Sequence, residues 1–517
     1  MDDKFILDQE LLSTEAAGAD PLYQFLATHA SIPEATPAQN QRLKRKFYKT
    51  ILPMIFFLNL LLYIDKSTLG QASILGIYED AHLDNARYAN LNTFFYVGFG
   101  VGLFPMGYLL QRLPVGRFVS GVVFSWAVVT ALHPASKSYA GLAVLRTALG
   151  FVESAVLPAI VIILNMWFTH SEQMILSNVW YIACSAASIP AGFTAYGSLH
   201  YVNHTLHPWQ LFFLCLAALT LAYSVFLFFF LPDNPVSARF LTTEEKVHTI
   251  RRLRVNAGAI ETKVFKREQY IEALKDPKCW LFLLHIFLNQ IPNNLGNQYS
   301  LLIVQYGFTT FQSTLMSIAF AAPAIFAQLG ATAMLTYWKK NSIAWVILFW
   351  YVPNTIGGIL QIALPWQNKA GLLVALYICN MFCVPWVMSL AWAAAACTGH
   401  TKRIAQTQMF LFGYVVSNLI SPQLWQAKYL PRYIVPWTIQ LVFGWILAPL
   451  VVLVIRWYLK RENKIRAALL ATQGVTADTG VGKVLEVGAD GKVTERIIDK
   501  GMLDLTDRQD LSFVYPL

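Results

Sequence analysis

The chain has 517 residues, of which 56% are hydrophobic and only 13% charged, and its formal net charge is +10. Soluble domains carry about 25% charged residues, whereas residues 173–232 and 279–338 contain no Asp, Glu, Lys or Arg at all. Each of these runs is long enough for two membrane-spanning helices and a turn. The composition therefore excludes a soluble globular protein and predicts an all-α, multi-pass membrane protein.

Twelve spans are predicted along the chain. They cover residues 51–76, 88–110, 115–132, 139–165, 174–199, 209–231, 280–304, 312–338, 343–364, 371–397, 404–425 and 433–459. Six plus six spans around a polar loop are typical of two helical bundles that rock about a site at mid-membrane. The predicted division is a cytoplasmic N-tail 1–47, an N-terminal bundle 48–231, a central loop 232–278, a C-terminal bundle 279–459 and a cytoplasmic C-tail 460–517.

Basic residues set the predicted orientation. The central loop holds ten Lys and Arg, and the N-tail ends in QRLKRKFYK. Because Lys and Arg accumulate in cytoplasmic loops, both termini are predicted to lie in the cytoplasm. The basic residues thus follow membrane topology, and no nucleic-acid-binding module accompanies them. The sequon at Asn203 then falls in an outward loop, where glycosylation and a chance match are both open.

Other chemistries lack a sequence signal. The six cysteines form neither a CxxC pair nor a zinc spacing, so no disulfide framework or metal site is predicted. The N-terminus is polar for over forty residues, which predicts no cleavable signal peptide. Walker, HExxH and GxSxG motifs are absent from the sequence, so we expect no enzyme and no cofactor.

Four ionisable residues interrupt otherwise apolar spans: Asp65, Lys66, Arg146 and Glu153. Arg146 and Glu153 are seven residues apart, which places them on one helix face about 10 Å apart along the axis. Asp65 and Arg146 fall at similar depth in their spans, so contact between them is plausible. A charge at membrane depth is costly, which favours function, although a permanent ion-pair lattice that merely holds the bundle together is the alternative.

Weaker candidates lie in the second half. The seventh span is rich in amides around Pro292 and Gly296, and there Asn293 and Asn297 either line a substrate cavity or satisfy a helix hinge. Asn418 in the eleventh span is a similar candidate. His285 either relays a proton or is simply a packed histidine.

Several strings resemble the anion:cation symporter family of the major facilitator superfamily, in its fungal allantoate-permease-like branch. They are LYIDKSTLGQAS (62–73), LRTALGFVESAVLP (145–158), LPDNPVSARFLTTEEKVHTIRRLR (231–254), DPKCWLF (276–282), GHTKRIAQTQ (399–408), NLISPQ (418–423) and LPRYIVP (430–436). The sequence departs from many relatives in having Lys66 where they have Arg, and in lacking an Asp before Arg117.

The resemblance implies proton-driven uptake of a small organic anion, such as a carboxylated vitamin, a ureide or a sugar acid. Lys66 and Arg146 would then hold the substrate carboxylate, and Asp65 and Glu153 would be the protonatable partners. We expect a plasma-membrane protein that works as a monomer in the lipid bilayer. An exporter or uniporter of a pathway metabolite and a non-transporting nutrient sensor are the alternatives.

Overall fold

The computed structural model describes the twelve spans and much of their connections. The described residues are Phe25, Thr28, His29, 32–201, 206–254, 266–338, 342–472, 481–487, 493–499, 505–510 and 513–517. Asn203 lies outside them, so the predicted glycosylation site has no structural description.

Every predicted span is helical. The first six helices are α1 (Pro37–Ile74), α2 (Asn85–Arg112), α3 (Val115–Leu132), α4 (Tyr139–Glu153 and Val156–Trp167), α5 (His170–Ala186 and Ser188–Leu199) and α6 (Pro208–Phe230). The other six are α7 (Pro277–Asn289 and Leu295–Gln305), α8 (Thr310–Ala319 and Ala321–Tyr337), α9 (Ile343–Ala363), α10 (Lys369–Cys379 and Cys383–Ala395), α11 (His400–Ile420) and α12 (Ile434–Ile439, the π-helical Gln440–Leu447, and Ala448–Thr472).

Helix polarity separates two kinds of span. Within the described residues, nine helices are long and apolar enough to cross a membrane. The three spans outside that set are α5, α7 and α11, which carry amide and hydroxyl side chains. Polar, interrupted helices are tolerated at membrane depth where they face protein or a cavity rather than lipid. These three helices are therefore the ones expected at the interface between the bundles.

Helix packing confirms two six-helix bundles. In the N-terminal bundle α2 packs along α4 and α3 along α6, while in the C-terminal bundle α9 packs along α10 and α7 along α11. The two bundles meet where α1 contacts α7, α2 contacts α11, and α5 contacts α8. The twelve-helix architecture agrees with the prediction.

The first and last helices of the chain, α1 and α12, extend past the predicted spans. Helix α1 begins at Pro37, inside the predicted tail, because Thr36 caps it. The Thr36 side chain accepts from the Gln39 amide at 3.3 Å, and Gln39 Oε1 accepts from the Thr36 amide at 2.8 Å. At the other end α12 continues to Thr472. Both extensions add cytoplasmic helix beyond the bilayer.

Glycines hold α2 directly against α4. A Cβ atom added at Gly98 would lie 1.9 Å from the carbonyl oxygen of Thr147, and one added at Gly150 would lie 1.9 Å from that of Phe95. Only glycine permits such backbone contact between membrane helices. Helix α4, which carries Arg146 and Glu153, is thereby fixed to its neighbour.

Two cytoplasmic helices attach to different bundles. The helix Thr243–Arg254 joins the N-terminal bundle through ion pairs of Lys46 with Glu245 at 2.7 Å and Arg252 with Glu172 at 2.5 Å. The helix Arg267–Lys275 packs on α11. Beyond α12, strands β1 (Val481–Val487) and β2 (Val493–Asp499) form an antiparallel hairpin in which Val481 pairs with Asp499.

Candidate functional site

The ionisable residues of α1 and α4 lie inside the N-terminal bundle. Asp65 is 1% exposed, Arg146 4% and Glu153 0%, and the ammonium nitrogen of Lys66 is also shielded. None of these charged groups points toward lipid. The four groups are close enough for their charges to interact, as the pattern of α1 and α4 predicted.

Asp65 and Lys66 point in different directions, because consecutive residues on a helix are about 100° apart. Asp65 turns toward α3, where its Oδ1 accepts from the Thr130 hydroxyl at 3.3 Å. Lys66 turns toward the other bundle. Its Nζ lies 4.9 Å from the ring centroid of Tyr63 and 5.9 Å from those of Phe99 and Tyr414. Lys66 is therefore the cation of α1 that faces the boundary between the bundles.

The carboxyl groups of Asp65 and Glu153 are close enough to interact inside the N-terminal bundle. Two neighbouring carboxyl groups can share a hydrogen bond only when one of them carries a proton. Adjacent buried carboxylates are difficult to ionise together, since their charges repel and neither is well hydrated. The pair is thus suited to take up and release one proton.

Arg146 lies within the N-terminal bundle rather than at its face. Its Nη2 donates to the Thr68 hydroxyl at 3.3 Å, and its guanidinium carbon is 5.5 Å from the ring centroid of Phe213. The nearby carboxyl of Asp65 balances its charge. The predicted contact across α1 and α4 is therefore electrostatic, without a nitrogen–oxygen distance below 4.0 Å.

Several polar atoms of this group have no hydrogen-bond partner. They are Lys66 Nζ, Asp65 Oδ2, Arg146 Nε and both carboxyl oxygens of Glu153. An unpartnered buried polar atom costs a few kcal/mol, and a charged atom costs more. The arrangement thus holds unused capacity for an anion at Lys66 and for a proton at the carboxyl pair.

The C-terminal bundle presents amides opposite Lys66. Asn293 of α7 donates to Asn418 Oδ1 at 2.6 Å and to the Tyr96 hydroxyl at 3.2 Å. Tyr96 also lies 3.4 Å from the hydroxyl of Tyr414, whose ring faces Lys66. The structure thus brings the predicted residues Asn293 and Asn418 together on the second wall of the same site.

Asn297 lies farther out, where the bundles seal against each other. Tyr88 donates to its carbonyl oxygen at 3.4 Å, and a Cβ at Gly70 would lie 3.0 Å from the same atom. Nearby, Asn92 donates to Asn294 Oδ1 at 2.7 Å. Neutral hydrogen bonds of this kind close the outer side of the interface.

His285 is held by the C-terminal bundle. Its Nε2 lies 2.8 Å from the Ser389 hydroxyl and its Nδ1 lies 3.3 Å from the Ala448 carbonyl oxygen. Both ring nitrogens are therefore engaged in packing contacts. Within the described part of the chain, no group of three or more His, Cys, Asp or Glu side chains could hold a metal ion.

Sequence reasoning did not single out the aromatic rings around Lys66. Tyr63 offered a signal, because residues three apart share a helix face. Phe99 and Tyr414 come from α2 and α11 and are brought close only by the packing of separate helices. A pattern within one span cannot reveal them.

Two six-helix bundles that enclose an incompletely paired charge site define a secondary transporter of small molecules. The family model for the Major Facilitator Superfamily matches residues 55–422. The chain therefore belongs to the Major Facilitator Superfamily. It is a multi-pass membrane transporter and not an enzyme.

Several similar proteins are fungal transporters. An uncharacterized transporter of Schizosaccharomyces pombe is 41% identical over 99% of this chain and 92% of the relative. A high affinity cysteine transporter of Saccharomyces cerevisiae is 37% identical over 94% of this chain and 93% of the relative. A thiamine pathway transporter of the same yeast is 32% identical over 82% of this chain and 80% of the relative.

A solved structure has the same fold. The partially occluded inward open conformation of the xylose transporter XylE from E. coli has a TM-score of 0.57 with 13% sequence identity. The match covers 78% of this chain and 98% of XylE. At this identity the likeness concerns the fold alone.

Proposed function

We propose that the chain is a proton-coupled symporter that imports a small carboxylate-bearing organic anion across the plasma membrane and works as a monomer. The observation that carries the proposal is Lys66. Its ammonium group is shielded at the bundle boundary, has no carboxylate within 4.0 Å and rests on aromatic rings. A cation retained at membrane depth without a partner is best explained by a ligand that supplies the negative charge.

The charges of the site give a coupling scheme. With both carboxyls ionised, Asp65 and Glu153 balance Lys66 and Arg146, and the empty site is neutral. One proton on the carboxyl pair leaves a net positive charge, which favours an anion at Lys66. The loaded site is neutral again, so it crosses the occluded state without the cost of burying a net charge.

Lys66 and Arg146 are assigned different roles because they face different parts of the protein. Lys66 faces the amides of the C-terminal bundle and would hold the substrate carboxylate. Arg146 contacts Thr68 inside the N-terminal bundle, so we assign it to balancing the carboxyl pair. Asn293 and Asn418 would bind the uncharged part of the substrate, while His285 keeps a packing role.

One relative supports a small substrate with a carboxylate. The cysteine transporter of Saccharomyces cerevisiae covers nearly the whole chain, and cysteine carries a carboxylate together with an ammonium and a thiol group. Labelled cysteine, a zwitterion without net charge, is therefore one probe, and the competitors nicotinate, allantoate, pantothenate and a sugar acid, which are net anions, are used in labelled form beside it.

The test uses purified protein in proteoliposomes. We expect labelled cysteine, or a carboxylate from the competitor panel, to accumulate when an inward proton gradient is imposed. An exporter would show no stimulated accumulation, and a sensor would show no uptake. If no carboxylate in the panel is transported in either direction, the proposal fails.

Glu153→Gln tests the coupling. This variant removes one of the two carboxyls that share the proton, so we expect proton-driven accumulation to fall by at least about 100-fold while exchange of substrate for substrate persists. The control is Glu79→Gln, which removes an exposed carboxylate on the outer surface. Undiminished accumulation in Glu153→Gln would refute the proton role of the pair.

A further inference from the structure

The last described segment of the chain, which belongs to the predicted C-tail 460–517, returns to the C-terminal bundle. We call residues 505–510 and 513–517 the C-terminal strap. Trp392 of α10 donates to the Pro516 carbonyl oxygen at 2.9 Å, and the Ile343 amide at the start of α9 donates to the Leu517 carbonyl oxygen at 3.1 Å. The strap thus crosses the cytoplasmic ends of several helices.

Tyr515 anchors the strap on α12. Asn463 forms two hydrogen bonds of 2.9 Å with the Tyr515 backbone, one to its amide and one to its carbonyl oxygen. Arg466 donates to the Tyr515 hydroxyl at 2.7 Å, and that hydroxyl donates to Asp507 at 2.6 Å. Tyr515 is only 3% exposed, so the contact is a built binding surface.

Asp507 enters a buried cluster between α7 and α11. Its carboxylate lies 3.0 Å from Lys402 Nζ and forms an ion pair with Lys278. Asp276 lies 2.8 Å from Lys402 Nζ and 3.3 Å from Lys278 Nζ. The Thr506 hydroxyl extends the cluster by donating to Glu272 at 3.0 Å.

The fully buried charges of this cluster balance only when the strap is present. The side chains of Lys278, Lys402, Asp276 and Asp507 are each at most 3% exposed. They provide two positive and two negative charges. Without Asp507, Lys402 would keep Asp276 and the partly exposed Glu272, which lies 2.7 Å from its Nζ. Lys278 would keep only Asp276, at 3.3 Å, and an underpaired buried charge is destabilising.

We propose that the C-terminal strap is an intramolecular ligand of the C-terminal bundle, which clamps the cytoplasmic starts of α7 and α11 through Asp507 and so keeps Asn293 and Asn418 in contact. Lys278 is the second residue of α7 and Lys402 the third of α11. These are the two helices that carry the amide pair of the site. Asp507 is thus a positioning residue that acts on the site through two helices.

The first test is thermal unfolding of the purified full-length protein. No substrate is added, so the result does not depend on whether the proposed transport function is correct. We expect Asp507→Asn to lower Tm by on the order of 5 °C or more, because it leaves buried lysines underpaired. The matched control is Glu268→Gln, which removes an exposed carboxylate from the adjacent cytoplasmic helix and should leave Tm unchanged.

A second variant that restores the charge balance of the cluster should recover part of the lost Tm. In Lys278→Met/Asp507→Asn one cation is removed with one anion, so we expect Tm to recover at least half of the loss. This double variant also serves if Asp507→Asn alone does not fold. A double variant no more stable than Asp507→Asn, or an Asp507→Asn protein as stable as the control, would overturn the proposal.

The second test measures how close positions 293 and 418 are to each other, by the yield of a crosslink between them. Asn293→Cys/Asn418→Cys should be bridged by a short bifunctional thiol reagent in the native background, because the two amides are in direct contact. Adding Asp507→Asn should reduce the crosslinking yield several-fold, whereas adding Glu268→Gln should not. Equal yields in the two backgrounds would show that the strap does not position these helices.

Discussion

The molecule contains two groups of buried charges, one in which no charge has a close partner of opposite charge and one in which every charge has. The first group lies at mid-depth in the N-terminal bundle and the second at the cytoplasmic end of the C-terminal bundle. They consist of Asp65, Lys66, Arg146 and Glu153, and of Asp276, Lys278, Lys402 and Asp507. In the second group every charge has an opposite charge within 4.0 Å, whereas in the first group none has.

The difference separates structural charges from functional ones. A cluster whose charges are all paired contributes to stability only if it stays paired, so it is expected to be inert toward ligands. A cluster with unpartnered atoms has capacity left for a substrate and a proton. Pairing, and not burial alone, is therefore the feature on which the proposed transport site rests.

The largest expected effect comes from Lys66, the unpaired cation. Lys66→Met should reduce uptake of the proposed carboxylate substrate by about 100-fold or more, because the substrate loses the cation that Lys66 supplies at the bundle boundary. Lys66→Arg keeps the charge and should retain a substantial fraction of uptake. Initial rates in proteoliposomes provide the measurement.

A lysine on the same helix provides the control for this prediction. Lys49 lies on the exposed cytoplasmic part of α1, and Lys49→Met should transport like the native protein. Wild-type uptake by Lys66→Met would mean that the unpaired cation does not bind the substrate, and the contrast between the two clusters would lose its functional meaning.

A smaller effect is expected at the amides opposite Lys66. Asn293→Ala and Asn418→Ala should each raise KM by about 5–10-fold, since each removes a neutral hydrogen bond. The two residues share one contact, so the double variant should resemble the single ones. Gln41→Ala, at an exposed amide of α1, is the control, and strictly additive losses would argue against a shared contact.

The smallest effect concerns pH and the paired cluster. Burial by itself would raise the pKa of the Asp507 carboxyl, but Lys278 and Lys402 hold that pKa well below its usual range. The stabilising contribution of Asp507 is therefore present above its unfolded pKa of about 3.9 and is lost only as pH falls through the lower folded value. Between pH 5 and 8 the Tm difference between the native protein and Asp507→Asn should stay constant.

Transport should respond differently over the same pH range. Uptake by the native protein should increase toward acid pH, while Glu153→Gln should lose most of this dependence because the two carboxyls that share the proton are no longer both present. A Tm difference that varies strongly between pH 5 and 8 would place a titrating group in the strap cluster and contradict its description as a permanently paired structure.

The sequence was sufficient for the fold because membrane helices leave a local signal. Uncharged runs and loop charges located all twelve helices, and the seven-residue spacing of Arg146 and Glu153 correctly indicated a shared buried environment. The start of α1 at Pro37 was missed although Thr36, Pro37 and Gln39 form a recognisable helix cap. Caps beyond the apolar stretch are easily overlooked in a membrane protein.

The rest depended on contacts between distant segments. Asp507 meets Lys278 across more than two hundred residues, and its immediate neighbours in the sequence, LTDRQD (505–510), are mostly polar. Nothing local distinguishes it from a solvated tail residue. The separation of Lys66 from Arg146 likewise follows from how α1 rotates within the bundle, which a single sequence does not specify.

The glycine contacts between α2 and α4 have a consequence for how the transporter moves. Their backbones are in contact at Gly98 and Gly150, so the two helices have no room to slide or tilt against each other. We expect them to move together as one rigid body. We therefore expect a change between outward-facing and inward-facing states to alter the contact between α2 and α11 and to leave the contact between α2 and α4 unchanged.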